Sequence, residues 1–427
     1  MSVVFRRRFP WWLVSEPDLL PKERQGLKAT AFALTPGLIA FSMGQTVLFA
    51  VAGPVIRDIG LSEFQLGLIV SAAALVFVIA SPIWGRISDR WGRKPVILFG
   101  LFTYAIISFA FAGIMDLGLS GTLGAMAVFV SLLGLRLLYA ALGTGIQPSS
   151  VALMADLSDE ENRASAVAIV GAAFGFGMIL GPAAAALLVG FGVLVPLYAI
   201  AGLGLISGMN AAIFLKPEKK VKTDLKATSE KIDLQPLLPI MFASLCVFTA
   251  TSALQQTMAF FVQDFLQADA ATAARATGIC FVAMAVLTLL AQGGLIQVLK
   301  PGPGLLLRAG LPIMVLGVVC YALPVSFIQI VIAAALMGLG FGLVNPGLMA
   351  AASLRTSSES QGSVAGLMQA MMASGYVVGP LAGTALYEIS PLHAAALIGA
   401  ALLLALIALM FISFKPEEEA IDANSPA

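Results

Sequence analysis

Arg136 is the residue with most to do in this chain, because it stands near the middle of an apolar run spanning residues 123–154. An arginine facing lipid at such a depth costs at least about 2.5–3.5 kcal/mol, so its side chain must face a cavity or a partner. Two uses are open to it: an anchor for an anion, or a structural cation bonded to backbone carbonyls or to Gln45. No carboxylate shares its depth. Asp116, Asp264 and Glu388 fall near the ends of apolar runs, as does the single histidine, His393. Gln45, Tyr139, Gln255, Gln256, Asn345, Gln369 and Tyr376 are uncharged polar residues within such runs. With Met368, Met371 and Met372 as a soft wall, they outline a large apolar cavity with scattered hydrogen-bonding groups. Each of these polar groups could equally join two helices. One histidine and scattered amides supply no nucleophile, base and orienting group, so a membrane enzyme is disfavoured.

A second concentration of chemistry is "GRISDRWGRKP", residues 85–95, which holds five charges in eleven positions between two apolar runs. We read it as a short loop at a membrane face. Asp89 could accept from the N-terminus of a facing helix or pair with an arginine. Arg90 and Arg93 could reach Asp156, while Gly85 and Gly92 would permit close approach and a tight turn. Such weak ion pairs at a wet face suit a latch that forms in one conformation and releases in another. Arg163 belongs to the same expected gating set.

The elements that must position these residues follow from composition. Apolar residues make up 59% and charged residues 11% of the 427 positions, with a mean hydropathy of +0.97. A hydrocarbon core about 30 Å thick takes roughly 20 helical residues to cross. Runs of that length recur at 29–56, 63–84, 95–115, 123–154, 163–189, 193–214, 237–263, 273–299, 304–323, 326–352, 362–386 and 391–414. They are apolar on every face, which fits helices; barrel strands would alternate in polarity. The expected fold is therefore an all-α polytopic membrane protein with twelve transmembrane helices.

Orientation follows from the basic residues. With the N-terminus in the cytoplasm, nearly all lysines and arginines fall inside, and only Arg57 and Arg275 fall outside, so both termini are expected to be cytoplasmic. Residues 1–28, with "FRRRFPWW", read as an interfacial segment on anionic lipid. Segments 29–214 and 237–414 read as two six-helix bundles, 215–236 as a charged cytoplasmic linker, and 415–427 as a cytoplasmic tail. Cys246, Cys280 and Cys320 have no ligand-like spacing and read as small hydrophobes within spans.

The halves repeat each other. Laying "GIQPSSVALMADLSDEENRASAVAIVGAAFGFGMILGPAA" on "LVNPGLMAAASLRTSSESQGSVAGLMQAMMASGYVVGPLA" without gaps pairs Gly177, Gly181 and Pro182 with Gly375, Gly379 and Pro380. Glycines four apart let helix backbones approach, and the proline bends the helix. "GLGFG", residues 338–342, lies inside an apolar run and reads as a further site of close helix packing.

Gly85, Ile87, Ser88, Asp89, Arg90, Gly92, Arg93, Lys94 and Leu98 match the signature between the second and third helices of the major facilitator superfamily. "GMILGP" resembles the antiporter motif of its drug:proton antiporter branch, the twelve-helix multidrug exporters, although Ala185 and Ala186 replace two glycines. Arg136 resembles the fourth-helix arginine of the family, with Ala140 where a glycine commonly follows. The resemblance implies two pseudo-symmetric six-helix bundles that rock about a central site. It further implies export of small amphipathic compounds across the inner or plasma membrane, driven by a proton or other ion gradient. Export or facilitated passage of an organic anion held by Arg136, and a receptor or scaffold that transports nothing, remain alternatives. Small-molecule substrate and membrane lipid are the expected partners, with no nucleic acid, no cofactor and no metal, and a monomer is expected.

Overall fold

The structure is a computed structural model that describes residues 21–158, 162–215, 234–357 and 360–410. Most of the N-terminal segment, nearly all of the linker and the tail lie outside the described residues. The described part holds twelve helices of membrane-crossing length and composition. In the first half these are α1 (Ala29–Ile59), α2 (Glu63–Trp91), α3 (Arg93–Leu119), α4 (Ala125–Asp156), α5 (Ser165–Phe191) and α6 (Val195–Phe214). In the second they are α7 (Leu238–Leu266), α8 (Ala270–Leu299), α9 (Pro303–Ala322), α10 (Phe327–Ser353), α11 (Gln361–Ile389) and α12 (Pro391–Met410).

Helix starts are written locally. The Ser62 side chain accepts from the Gln65 amide while the Gln65 side chain returns the bond, which satisfies two of the donors left free at the start of α2. Asp269 and Ser326 accept from the third residue of α8 and α10 in the same way.

The charged 85–95 segment differs from the expected loop. Helix α2 continues through Asp89 and Arg90 to Trp91, and α3 begins at Arg93, so the whole reversal rests on Gly92 at φ 100°. Only glycine adopts that conformation without steric cost, and the one-residue turn holds the charges on two rigid helix ends. Helix α4 is also not continuous. It breaks over residues 143–145, where a side chain on Gly145 would stand 2.6 Å from Val96, so the break brings α4 against α3.

The sequence repeat is realised as two equivalent packings, α5 on α1 and α11 on α7. A methyl on Gly177 would lie 2.6 Å from the Ile39 carbonyl, and one on Gly181 2.8 Å from that of Met43. On the other side, Gly375 would meet Phe248 at 2.6 Å and Gly379 the Thr249 carbonyl at 2.5 Å. Hydroxyls lock both crossings: Ser42 donates to the Phe174 carbonyl at 2.8 Å, and Ser252 to that of Gly375 at 2.9 Å. Gly338 and Gly342 of α10 press on α8 in the same fashion, while Gly340 sits against α9. Cys246 and Cys280 are buried free thiols and Cys320 is half-buried.

Candidate transport cavity and its two faces

Call the face that carries Gly92 and its charges the arginine-rich face. Three of its side chains tie the first bundle together. Arg93 pairs with Asp89 and reaches Asp156 at 3.1 Å, which fastens the ends of α2, α3 and α4. The Lys94 ammonium donates to the carbonyls of Ala212, at 3.1 Å, and Leu215, closing the end of α6 where the helix dipole is negative. Trp84 donates its indole N–H to the Ala141 carbonyl at 2.6 Å. All of these bonds lie within one bundle. Arg90 and Arg163 are exposed, and no ion pair of either is found among the described residues. Of the two arginines expected to reach Asp156, Arg93 does so and Arg90 does not, and among the described residues the charged cluster makes no bond across the bundles.

Each exposed ion pair here contributes at most about 1 kcal/mol, so Asp89→Asn is expected to move the melting temperature by only a few degrees. Initial flux should nevertheless fall several-fold if the charge is needed when this face closes. Measured flux equal to that of the parent protein would remove Asp89 from the cycle.

At the opposite face the bundles are joined. Arg57, at the end of α1, forms a bidentate pair with Asp264 of α7, at 2.6 and 3.0 Å. The same guanidinium donates to Glu63 at 2.7 Å and lies 4.9 Å from the centre of the Phe260 ring. Tyr387 of α11 donates to Asp264 at 2.6 Å. The Glu388 carboxylate accepts from the Phe64 amide at 2.9 Å, supplying α2 with an anionic cap from the other bundle. Below this ionic layer the backbones touch. A methyl on Gly67 would stand 2.7 Å from the Pro380 carbonyl, and one on Gly278 2.8 Å from that of Pro182. The two prolines are partners in the sequence repeat, so α2 against α11 and α8 against α5 form one symmetric seal.

On the arginine-rich side, Gly171, Gly175, Gly362 and Gly366 have nothing within 4 Å of where a side chain would begin. Among the described residues, the bundles are therefore parted at the arginine-rich face and joined at the other.

Between the bundles lies a cavity of about 270 Å³. Gln255, Asn345 and Tyr376 line it, together with Thr46, Thr288 and Gln292. Phe49, Phe174, Phe281 and Phe341 supply an aromatic wall, with Met178 and Met284 among them. None of the residues lining it is charged. Around Gln292, α8 widens into a π-helical turn over Leu290–Leu295, an irregularity frequent at functional sites.

The remaining candidates lie elsewhere. Gln45, Arg136 and Tyr139 share a second, small cavity inside the first bundle, lined by α1, α3, α4 and α6. Gln256 is buried and its carbonyl oxygen has no partner among the described residues. Gln369 is exposed. Met368, Met371 and Met372 are not in the wall of the central cavity. Nothing in the sequence distinguished the four cavity phenylalanines from lipid-facing ones, since both kinds sit in runs that are apolar all round. The Arg57 cluster did leave a signal: a basic residue at a span end away from the other basic residues is an exception to the expected charge pattern, and its carboxylate partners Asp264 and Glu63 account for it.

Twelve membrane-length helices in two matched bundles around a cavity open at one face only are the architecture of a membrane transporter. The chain belongs to the Major Facilitator Superfamily, whose family profile matches residues 34–296 and 240–427. It is 25% identical over 366 residues to multidrug resistance protein 2 of Bacillus subtilis, covering 82% of this chain and 87% of that one. It is 26% identical over 237 residues to quinolone resistance protein NorA of Staphylococcus aureus, a match that spans 55% of this chain and 56% of that protein. The fold is similar to that of the nucleoside transporter NupG, with a TM-score of 0.69 at 15% identity over 90% of this chain and all of the other. It also resembles an inward-facing bacterial homologue of the human lysosomal transporter Spinster, with a TM-score of 0.66 at 16% identity, covering 92% of this chain and 97% of that one.

Proposed function

We propose that the protein exports small amphipathic compounds by alternating access, in exchange for protons. The observation that carries this reading is the central cavity, which is uncharged, walled by four phenylalanines and dotted with amides and hydroxyls. Such a surface takes ligands by apolar contact and aromatic stacking, with few bonds that demand one substrate geometry. The names of the two bacterial relatives, a multidrug resistance protein and a quinolone resistance protein, support the same substrate class. The positive-inside bias places the arginine-rich face in the cytoplasm, so the open cavity would collect its ligand from the inner side and both termini would be cytoplasmic. On this reading the protein works as a monomer in the inner or plasma membrane. Residues Gln255, Asn345 and Tyr376 would contact the ligand, and the Asp89–Arg93–Asp156 cluster would take part in closing the inner face.

The proton step has two candidate carriers, Asp264 and Glu388, both in the seal between the bundles. Arg136 lies apart from the central cavity, so an organic anion held by it would have to enter the first bundle. The test uses proteoliposomes loaded with a fluorescent amphipath and an imposed pH gradient. Uphill movement is expected and should stop when the gradient is collapsed. Persistence without it would assign another coupling ion, and no flux of any amphipath would reassign the protein as a receptor or scaffold.

A further inference from the structure

Arg136 carries a full positive charge into the first bundle, and the groups around it do not balance that charge. Its Nη2 donates to the Gln45 carbonyl oxygen at 2.7 Å, and its guanidinium lies 4.9 Å from the centre of the Tyr139 ring. Its buried Nε–H has no partner among the described residues. The Gln45 amide nitrogen in turn donates to the Tyr139 hydroxyl at 2.9 Å. That bond fills an acceptor site on Tyr139 and leaves the phenolic proton free to donate elsewhere. Tyr104 donates to the Ala40 carbonyl at 2.8 Å and offers no proton inward.

The resulting ledger is one-sided. A guanidinium has five N–H bonds, of which the bond to Gln45 uses one. Arg136 and Tyr139 both have donors to spare, and the Gln45 carbonyl oxygen, neutral and bonded to Nη2, supplies no counter-charge. These groups face a cavity of about 40 Å³ that no acidic side chain lines. A water needs about 10–15 Å³ of such space, so the cavity accommodates one atom-sized anion with a water beside it. Leu48, Ile107, Phe111, Leu197 and Ile200 form its apolar wall, which Gly44 and the Ser108 hydroxyl complete. Large, weakly hydrated anions tolerate apolar walls better than small, strongly hydrated ones.

We propose that this cavity binds one small monovalent anion, held by Arg136 and the Tyr139 hydroxyl, as the counter-charge that lets the arginine sit within the bilayer. All four lining helices, α1, α3, α4 and α6, belong to the first bundle. The anion therefore stays with one rigid body when the bundles move and is not cargo. The inference does not depend on the export reading. The anion has two sources, a free halide or the carboxylate of a small acid, and both present the acceptors that the site lacks.

The experiment is a structure of the full chain determined in bromide, with anomalous data, beside melting curves at constant ionic strength in bromide, acetate or gluconate. The expected result is an anomalous peak within hydrogen-bond reach of Arg136 Nε and Tyr139 Oη, and a melting temperature that rises saturably with bromide but not with gluconate. Tyr139→Phe keeps the ring and removes the donor, so the half-saturating bromide concentration should rise about tenfold. Arg136→Gln should abolish the response. Stabilisation by acetate as well as bromide would identify a site open to carboxylates, and stabilisation by bromide alone a halide site. Non-anomalous density in the cavity, with melting curves indifferent to the anion in the parent protein and in Tyr139→Phe, would show ordered water there and overturn the proposal.

Discussion

Gly278→Leu is expected to abolish transport while leaving both bundles folded. At this position a methyl would already lie 2.8 Å from the Pro182 carbonyl, 3.0 Å from the Ala186 side chain and 3.1 Å from its amide. Two of those neighbours are backbone atoms of α5, which cannot turn aside as a side chain could. Overpacking costs typically about 1–3 kcal/mol, and a leucine exceeds a methyl by three carbons. Because the contact is between bundles, the cost is relieved by parting them on this face. The population should shift roughly 10- to 100-fold toward the conformation closed at the arginine-rich side.

Spin labels on Ser165→Cys and Gln361→Cys, at the arginine-rich ends of α5 and α11, would report that shift as a shorter distance. Gly134→Leu is the control, since nothing lies within 4 Å of that position. It should transport as the parent protein does. An unchanged label distance with normal flux in Gly278→Leu would show that the α5–α8 crossing is not part of the seal.

Asp264→Asn should weaken the same seal through charge. The Arg57 pair is bidentate and spans the bundles, but the Asp264 side chain is 43% exposed, so solvent screens it. Arg57 also keeps Glu63 as a second partner. After that discount, roughly 1–2 kcal/mol of preference for the closed state of this face should be lost, which is a shift of about 5- to 30-fold. The amide keeps the volume of the carboxyl, so changes in packing are small. Distances between labels at the Arg57 end of α1 and the Asp264 end of α7 should lengthen, and flux should fall because one half of the cycle loses its resting state. A double-mutant cycle with Arg57→Gln isolates the pair, and a coupling energy near zero would mean that Arg57 and Asp264 act independently.

Much of the membrane architecture was legible in the sequence because it follows from one-dimensional quantities. Twelve apolar runs gave twelve spans, since a bilayer crossing has a fixed length and its backbone must be satisfied within the helix. The glycine and proline punctuation of the two halves marked α5 and α11 as places of close helix approach, because a close backbone approach demands a missing side chain and that absence is written as Gly; the partners α1 and α7 were not marked. Gly92 was legible as a tight turn, which its φ of 100° requires, whereas Gly85, expected to permit close approach, has nothing within 4 Å. The reading of 85–95 as a loop went astray because charge usually ends a membrane helix, whereas α2 simply extends past the apolar zone with Asp89 and Arg90 on its last turn.

Only the tertiary structure decided which polar residues meet. Gln45, Arg136 and Tyr139 gather inside one bundle, while Gln255, Asn345 and Tyr376 face the space between bundles. Spacing could not separate these sets, because a transmembrane helix is apolar on all sides and has no amphipathic stripe to mark the face that looks inward. The seal of Arg57, Asp264, Tyr387 and Glu388 joins residues of three different helices, with Arg57 and Asp264 more than two hundred positions apart. Their partnership depends on how the bundles lie against each other. The chain's own sequence determined that it spans a membrane as a duplicated twelve-helix bundle; the packing of those helices decided where its cavity lies, what lines it and which face is closed.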